Sequence, residues 1–382
     1  MSTWKVPFFD LCIGQEEKDA VISVLESNWL TAGPRVNEFE EKFAGAFGGG
    51  DVRAVALSSG TAALHLGLMA LGIGKGDEVI VPSLTFVATA NAARYVGAVP
   101  VFADIVSEQD LTIDPRDIRK KITGKTKAII PMHFAGYPCN MDEILSIAGE
   151  NDLKILEDAC HAPGVAYKGK MLGTIGDAGC FSFYSNKNMI TGEGGMLITS
   201  NDEIDSIVRV TRTHGISSST YSRFKGHSYG YDVANLGYNY RMDEIRAALG
   251  KVQLSKLPGF IEGRGRVVRS YISRLSAEMS SLTIPFSEFN GKFGYHVFSV
   301  ILPEDVDRNV VIEHLKRNGI QTSIHYKPVH TFTDFEQYPA DLPVTNSIAG
   351  RLLSLPLYPH MGDEEISLVM QTLKSGIELN GK

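Results

Sequence analysis

The chain has 382 residues, more than one hydrophobic core ordinarily serves, so its length predicts a large domain with a smaller companion. A composition of 43% hydrophobic and 21% charged residues with 38 glycines fits a loop-rich α/β protein and excludes a disordered, fibrous or low-complexity chain. The formal charge of −7, with no Lys/Arg cluster, lacks the electrostatic footprint of a nucleic-acid binder.

The opening stretch MSTWKVPFFDLCIG has no cationic segment followed by an apolar one, and no run of about 18 residues escapes charge, Pro, Asn or a Ser/Gly break. The expectation is a cytoplasmic protein without membrane association. Cys12, Cys139, Cys160 and Cys180 show neither CxxC pairing nor metal-ligand spacing, so free buried thiols and no metal site are expected.

In chain order, QEEKDAVISVLESNWLTAGPRVNEFEEKFAGAFG predicts two amphipathic helices with Gly33 and Pro34 between them, because apolar residues recur at three- and four-residue spacing. From Arg53 the rhythm changes. RAVALSS, EVIVPS, PVFADI, KAIIPMHF and LKILEDA read as strands, and TAALHLGLMALG, TFVATANAARYVG and MDEILSIAGEN between them as helices. Such alternation predicts βαβ units and a mainly parallel central sheet flanked by helices. AGCFSFYS and GGMLITS read as two further strands, with the loop carrying Lys187 between them. A long helical pattern follows from Arg241, with a bend expected at Pro258 and Gly259, and bridges to a second domain. There YHVFSVIL, DRNVVIEHLKRNG and IQTSIHYKP suggest a β-α-β set. The boundaries expected are 1–255 for a large domain with a helical N-terminal segment and 256–382 for a small C-terminal α/β domain.

Ligands of open α/β sheets collect at the carboxyl ends of strands, which directs attention to polar residues just after apolar runs. Ser58, Ser59, Gly60 and Thr61 follow one strand and open a helix, a place that either caps the helix or binds a phosphate. Neither a Walker pattern nor a GxGxxG fingerprint is present. Glu157 and Asp158 end another strand, where a carboxylate either caps a turn or holds a proton on a heteroaromatic nitrogen; His161 lies just beyond. Phe86 follows a third strand and is either core or a ring for stacking. Lys187 is either a solvated loop lysine or, confined by Gly192, Gly194 and Gly195, a nucleophile able to form a Schiff base. Phosphate anchor, stacking ring, anion and amine together are what pyridoxal 5′-phosphate (PLP) needs.

The stretches NWLTAGPRVNEFE, SSGTAALHL, DEVIVPSLTFVATANA, PVFADI, LEDACHA, FSFYSNKN, GEGGML, GYNYRMDEIRAA and LSLPLYP occur in that order. From about Trp29 to Pro359 the sequence thereby resembles the nucleotide-sugar aminotransferases of the DegT/StrS type, within the fold-type-I PLP enzymes. The resemblance implies Lys187 as the Schiff-base lysine, Asp158 as the partner of the pyridine nitrogen, and Phe86 as the ring on the cofactor face. Gly60, Thr61 and Ser182 resemble the phosphate binders, and His161 occupies the place beside the cofactor hydroxyl. Asn239 is implied to reach a phosphate in the neighbouring subunit of a homodimer with shared active sites. Thr31, His325 and His330 are candidates for contact with substrate.

Relatives with histidine in place of the lysine are dehydratases. Lys187 therefore favours amino transfer, from L-glutamate to a nucleotide-linked keto-sugar, over a PLP-dependent sugar dehydratase or a non-catalytic sugar-nucleotide-binding regulator. Relatives acting on 3-keto sugars carry glutamine at the position of His161, followed by His-Gly; His161 with Ala162-Pro163-Gly164 resembles enzymes acting at C4.

Overall fold

Two helices open the chain, α1 (Gln15–Glu26) and α2 (Pro34–Phe47). Pro34 sits in the first turn of α2, where its missing N–H costs nothing. The neighbouring free N–H groups are satisfied from far away: Glu244 Oε1 accepts from Gly33 N and Val36 N, and Oε2 from Arg35 N, each at 2.9 Å. The apolar stripe of α2, Val36, Phe39, Phe43 and Phe47, is buried against Phe181 and Phe183. This computed structural model describes residues 4–216, 232–233 and 235–379.

The alternating region forms a seven-stranded sheet in the order β1-β9-β8-β5-β4-β2-β3. Its strands are β1 (Arg53–Leu57), β2 (Glu78–Pro82), β3 (Val99–Ala103), β4 (Thr126–Ile129), β5 (Lys154–Asp158), β8 (Ala178–Ser182) and β9 (Gly195–Thr199); a hairpin of β6 (Ala166–Tyr167) and β7 (Lys170–Met171) stands apart. Pairing is parallel from β3 through β2, β4 and β5 to β8, whereas β9 runs antiparallel to both β8 and β1. Most strands are apolar throughout, as befits a sheet covered on both faces. The helices that follow the strands include α3 (Gly60–Ala70), α4 (Val87–Tyr95), α5 (Pro115–Lys121), α6 (Met141–Asn151) and α7 (Asp202–Thr211).

Beyond the sheet, α8 (Glu244–Glu278) runs as one 35-residue helix straight through Pro258. Helical assignment continues through Pro258 and Gly259, where the bend is expected, and packing along the helix offsets the hydrogen bond that proline removes; Leu257, Arg264, Val267 and Tyr271 are all buried. The β-α-β expectation also needs correcting. The partner of β10 (Phe298–Ile301) is β11 (Leu352–Leu355), antiparallel to it, and IQTSIHYKP contributes only isolated bridges at Ile320 and Ser323. Alternation is too short there to tell a strand from a bridged loop. α9 (Arg308–Arg317), α10 (Pro343–Ala349) and α11 (Asp363–Glu378) complete the C-terminal part. One hydrophobic core joins it to the rest, with Val6, Leu84, Met132 and Phe134 packed among Tyr271, Phe298 and Leu353.

Candidate active site

The carboxyl ends of β1, β2, β5 and β8 open into one cavity of about 310 Å³, within the size range of small-ligand sites. Gly60, Thr61, Phe86, Asp158, His161, Ser182, Lys187 and His325 all line it. Residues from separate stretches of sequence thus meet because parallel strands end on the same edge.

At the first strand end, capping and ligand binding prove compatible. Ser59 is the cap, its Oγ accepting from Ala62 N at 3.1 Å, and Ser59 O accepts from Ala63 N. The N–H groups of Gly60 and Thr61 precede the first intrahelical bond and belong to residues on the cavity wall, which suits a phosphate. A Cβ on Gly60 would lie 2.8 Å from Ser182 Cβ and 3.1 Å from Cys160 Sγ, so only glycine lets the helix start settle onto this floor. That cradle, with hydroxyls of Thr61 and Ser182 beside it, fits a phosphate monoester.

Asp158 is 4% exposed. Its Oδ2 accepts from Thr89 Oγ1 at 2.7 Å and its Oδ1 from Cys160 N at 3.2 Å, and Thr89 is held in turn by Thr85 Oγ1 at 2.8 Å. Each carboxyl oxygen keeps a lone pair for a further donor, such as a protonated ring nitrogen. Phe86, at the N-terminus of α4, is 56% exposed at the mouth, a poor position for a core residue and a good one for a covering ring.

His161 is fixed at both nitrogens. Nδ1 accepts from Ala135 N at 3.3 Å, which leaves Nε2–H to donate to Tyr326 Oη at 2.9 Å. Burial, then the charge of Lys187, holds its pKa well below the ordinary imidazole value. His325 is likewise pushed down to about 3 by burial and Lys187, and its Nδ1 lies 3.1 Å from Ser354 Oγ. Lys187 itself is drawn below the ordinary lysine value by burial, with Cys160 and Asp158 acting in the opposite sense. Its Nζ lies 3.3 Å from Nε2 of His296.

In the glycine cluster, Gly195 packs against the backbone of Ser59 and Gly60, and Gly194 against Thr191 and Met242, so these two allow close approach between protein segments, whereas Gly192 has open space around it. Three predicted residues stay outside the cavity lining. Thr31 is exposed on the turn before α2. His330 is occupied structurally, with Nδ1 2.7 Å from Ser83 Oγ and Nε2 3.0 Å from Asn346 Oδ1. Asn239 is exposed and bridges Thr213, while its neighbour Tyr240 accepts from Ser58 N at 2.8 Å. Sequence reasoning missed Thr85, Thr89, Tyr326 and His296. The i, i+4 spacing of Thr85 and Thr89 around Phe86 was a usable signal; His296, in an otherwise apolar strand approach, gave none.

A buried amine with a depressed pKa is of use to an aldehyde, and a sequestered carboxyl group to a ring nitrogen. On a sheet of this topology, with its single antiparallel strand, that pairing fits the PLP enzymes of fold type I. The family profile of the DegT/DnrJ/EryC1/StrS aminotransferase family matches residues 11–374, and the chain belongs to that family. It is 41% identical to the spore coat polysaccharide biosynthesis protein SpsC of Bacillus subtilis, over 97% of this chain and 96% of that one. Among solved structures, Helicobacter pylori PseC, an aminotransferase involved in the biosynthesis of pseudoaminic acid, superposes with a TM-score of 0.90 at 28% identity, covering 98% and 99% of the two chains. Spr1654 of Streptococcus pneumoniae, named a sugar aminotransferase and solved in its PLP form, gives 0.89 at 30% identity, covering 98% and 99%. The protein is therefore an aminotransferase, and PLP is its cofactor.

Proposed function

We propose that the protein transfers an amino group from L-glutamate to C4 of a nucleotide-linked 4-keto-6-deoxyhexose, giving an amino-deoxysugar for glycan or polysaccharide assembly. The observation that carries the reading is the sharing of one cavity by the Lys187 amine, the Asp158 carboxyl group and the α3 start. Relatives named for spore coat polysaccharide and for pseudoaminic acid biosynthesis support a sugar as the acceptor.

Bound PLP supplies an aldehyde and an electron-withdrawing ring that carry nitrogen from donor to acceptor. The residues divide the remaining work. Gly60, Thr61 and Ser182 would hold the phosphate, Asp158 would keep a proton on the ring nitrogen, Phe86 would cover the ring, and His161 would serve the ring hydroxyl. Lys187 would hold the cofactor through its aldehyde. When free of the cofactor, its Nζ would take the proton from the donor's α-carbon and deliver one to the sugar carbon that receives the nitrogen. Asn239, exposed and absent from its own cavity wall, serves the site of a second copy in a homodimer. His325 touches substrate from the cavity wall.

The test is a matched pair of 3-keto and 4-keto nucleotide sugars incubated with the PLP-loaded protein and L-glutamate, with NMR of the product. An amine at C4 is expected. An amine at C3 with the 4-keto compound untouched overturns the regiochemistry, and no amine from any keto-sugar nucleotide overturns the substrate class.

A further inference from the structure

Behind Lys187 lies a histidine for which the roles described above have no use. His296 is 4% exposed, its Nε2 is 3.3 Å from Lys187 Nζ, and its Nδ1 has no hydrogen-bond partner. A buried imidazole used only to fill space leaves a polar nitrogen unsatisfied, which an apolar side chain of the same volume avoids. The backbone around it is clamped. His296 N donates to Ala135 O at 2.8 Å, and Arg264 Nη1 donates to His296 O at 3.2 Å, to Leu357 O at 3.2 Å and to Tyr295 O at 3.4 Å. Arg264 is itself 3% exposed, and these three contacts are all with carbonyl oxygens.

We propose that His296 is a positioning residue for Lys187: whenever the amine is free of the cofactor, Nζ donates a hydrogen bond to Nε2 of His296 and is held there, at the cavity wall. The inference rests on the reading of Lys187 as the cofactor's lysine. For the bond to form, His296 must accept and so must stay neutral, with its proton on Nδ1. Its surroundings ensure that. Burial, then Lys187, His161, Arg264 and His325, all hold its pKa well below the ordinary imidazole value. The His161 ring lies 4.3 Å away and is neutral for the same reason, since its two nitrogens are engaged by Ala135 N and Tyr326 Oη. The titratable groups facing Lys187 are thus Asp158, Cys160, His161, His296 and His325, with Arg264 behind His296. His296 is the one hydrogen-bonded to Nζ among the described residues. A neutral acceptor favours the ammonium over the amine, so His296 limits how far burial depresses the lysine.

The experiment follows reductive methylation of Lys187 by formaldehyde and cyanoborohydride across pH, by peptide mass mapping, in the full-length protein freed of cofactor. A lost bond to a charged donor moves the midpoint by about one pH unit. His296→Phe is therefore expected to shift labelling of Lys187 to lower pH by about that much. His296→Gln, whose amide oxygen reaches the place of Nε2, is expected to keep the wild-type midpoint. An unmoved midpoint in His296→Phe, or equal shifts in both variants, overturns the proposal. If His296→Phe does not fold, nitrogen-15 NMR of the unsubstituted protein against Lys187→Met decides: the Nε2 resonance of one buried neutral histidine must lose its hydrogen-bonded shift, and an unchanged spectrum overturns the proposal. Failure of the parent reading shows separately, as borohydride fixing PLP on a lysine other than Lys187.

Discussion

Glu157 and Asp158 are consecutive on β5 and serve opposite faces of the sheet. The Glu157 carboxylate, fully buried, accepts from Ile175 N at 2.7 Å, from Gly173 N and Gly176 N at 2.8 Å, and from His133 Nε2 at 3.0 Å, and so fastens the loop after β7. Asp158 faces the cavity. The two residues should therefore separate stability from chemistry. Glu157→Gln should cost about 3 kcal/mol by breaking a charged buried network, read as a drop in the denaturation midpoint. Asp158→Asn should fold and melt near the wild type, yet lose turnover by orders of magnitude, because an amide cannot hold the proton on a ring nitrogen. Near-wild-type turnover in Asp158→Asn removes that residue from the site.

Much of this architecture was legible in the sequence, for a physical reason. Parallel strands buried on both faces must be short apolar runs, and their carboxyl ends must gather whatever ligand chemistry exists, so Asp158, Gly60 and Lys187 stood out by position alone. What the sequence hid was contact between distant segments. Nothing near His296 reveals that α8 brings Arg264 to its carbonyl, nor near Gly33 that Glu244 supplies the cap. Nor does sequence show that His330 lies off the cavity wall, bonded to Ser83 and Asn346, while His325 lines it.

Acid should destabilise the fold early. His161, His296 and His325 are neutral in the folded chain, with pKa values held below the ordinary value of 6.5 mainly by burial. The unfolded chain binds their protons from about pH 6.5 downward while the folded one does not, so stability present above that pH is lost as pH falls toward the folded values. Each group contributes a slope approaching about 1.4 kcal/mol per pH unit. Thermal unfolding of the PLP-loaded protein should show Tm falling steeply between about pH 6.5 and 5. A flat profile there means the three rings reach water in the folded state.

Asn239 should act across a subunit boundary. Asn239→Ala and Lys187→Ala are each expected to be nearly inactive, the first through weakened cofactor retention. Mixed dimers should regain part of the activity, because one of their two sites escapes both changes. Confirmed heterodimers without recovery would show that each site is built from one chain.

Gly195 lies where the lysine loop re-enters the sheet. Gly195 pairs with Leu57 of β1 on one side and Ser182 of β8 on the other, so β9 passes directly beneath the start of α3. A Cβ at this position would press on the Ser59 carbonyl carbon and oxygen and on Gly60 N, all backbone atoms that cannot swing aside. Relief must come from lifting the helix start, which breaks the Ser59 cap on Ala62 and misdirects the N–H groups meant for the phosphate. Gly195→Ala should therefore cost about 2 kcal/mol from overpacking and, beyond that, weaken PLP binding. Gly192 offers the contrast. It has φ +82° with nothing within 4 Å of a built Cβ, so Gly192→Ala should pay only a conformational cost of about 1 kcal/mol and retain the cofactor better. Thermal unfolding and PLP titration followed by visible absorbance measure both effects. Wild-type cofactor affinity in Gly195→Ala would mean that the α3 start does not carry the phosphate, and the phosphate site would then have to be sought elsewhere on the cavity wall.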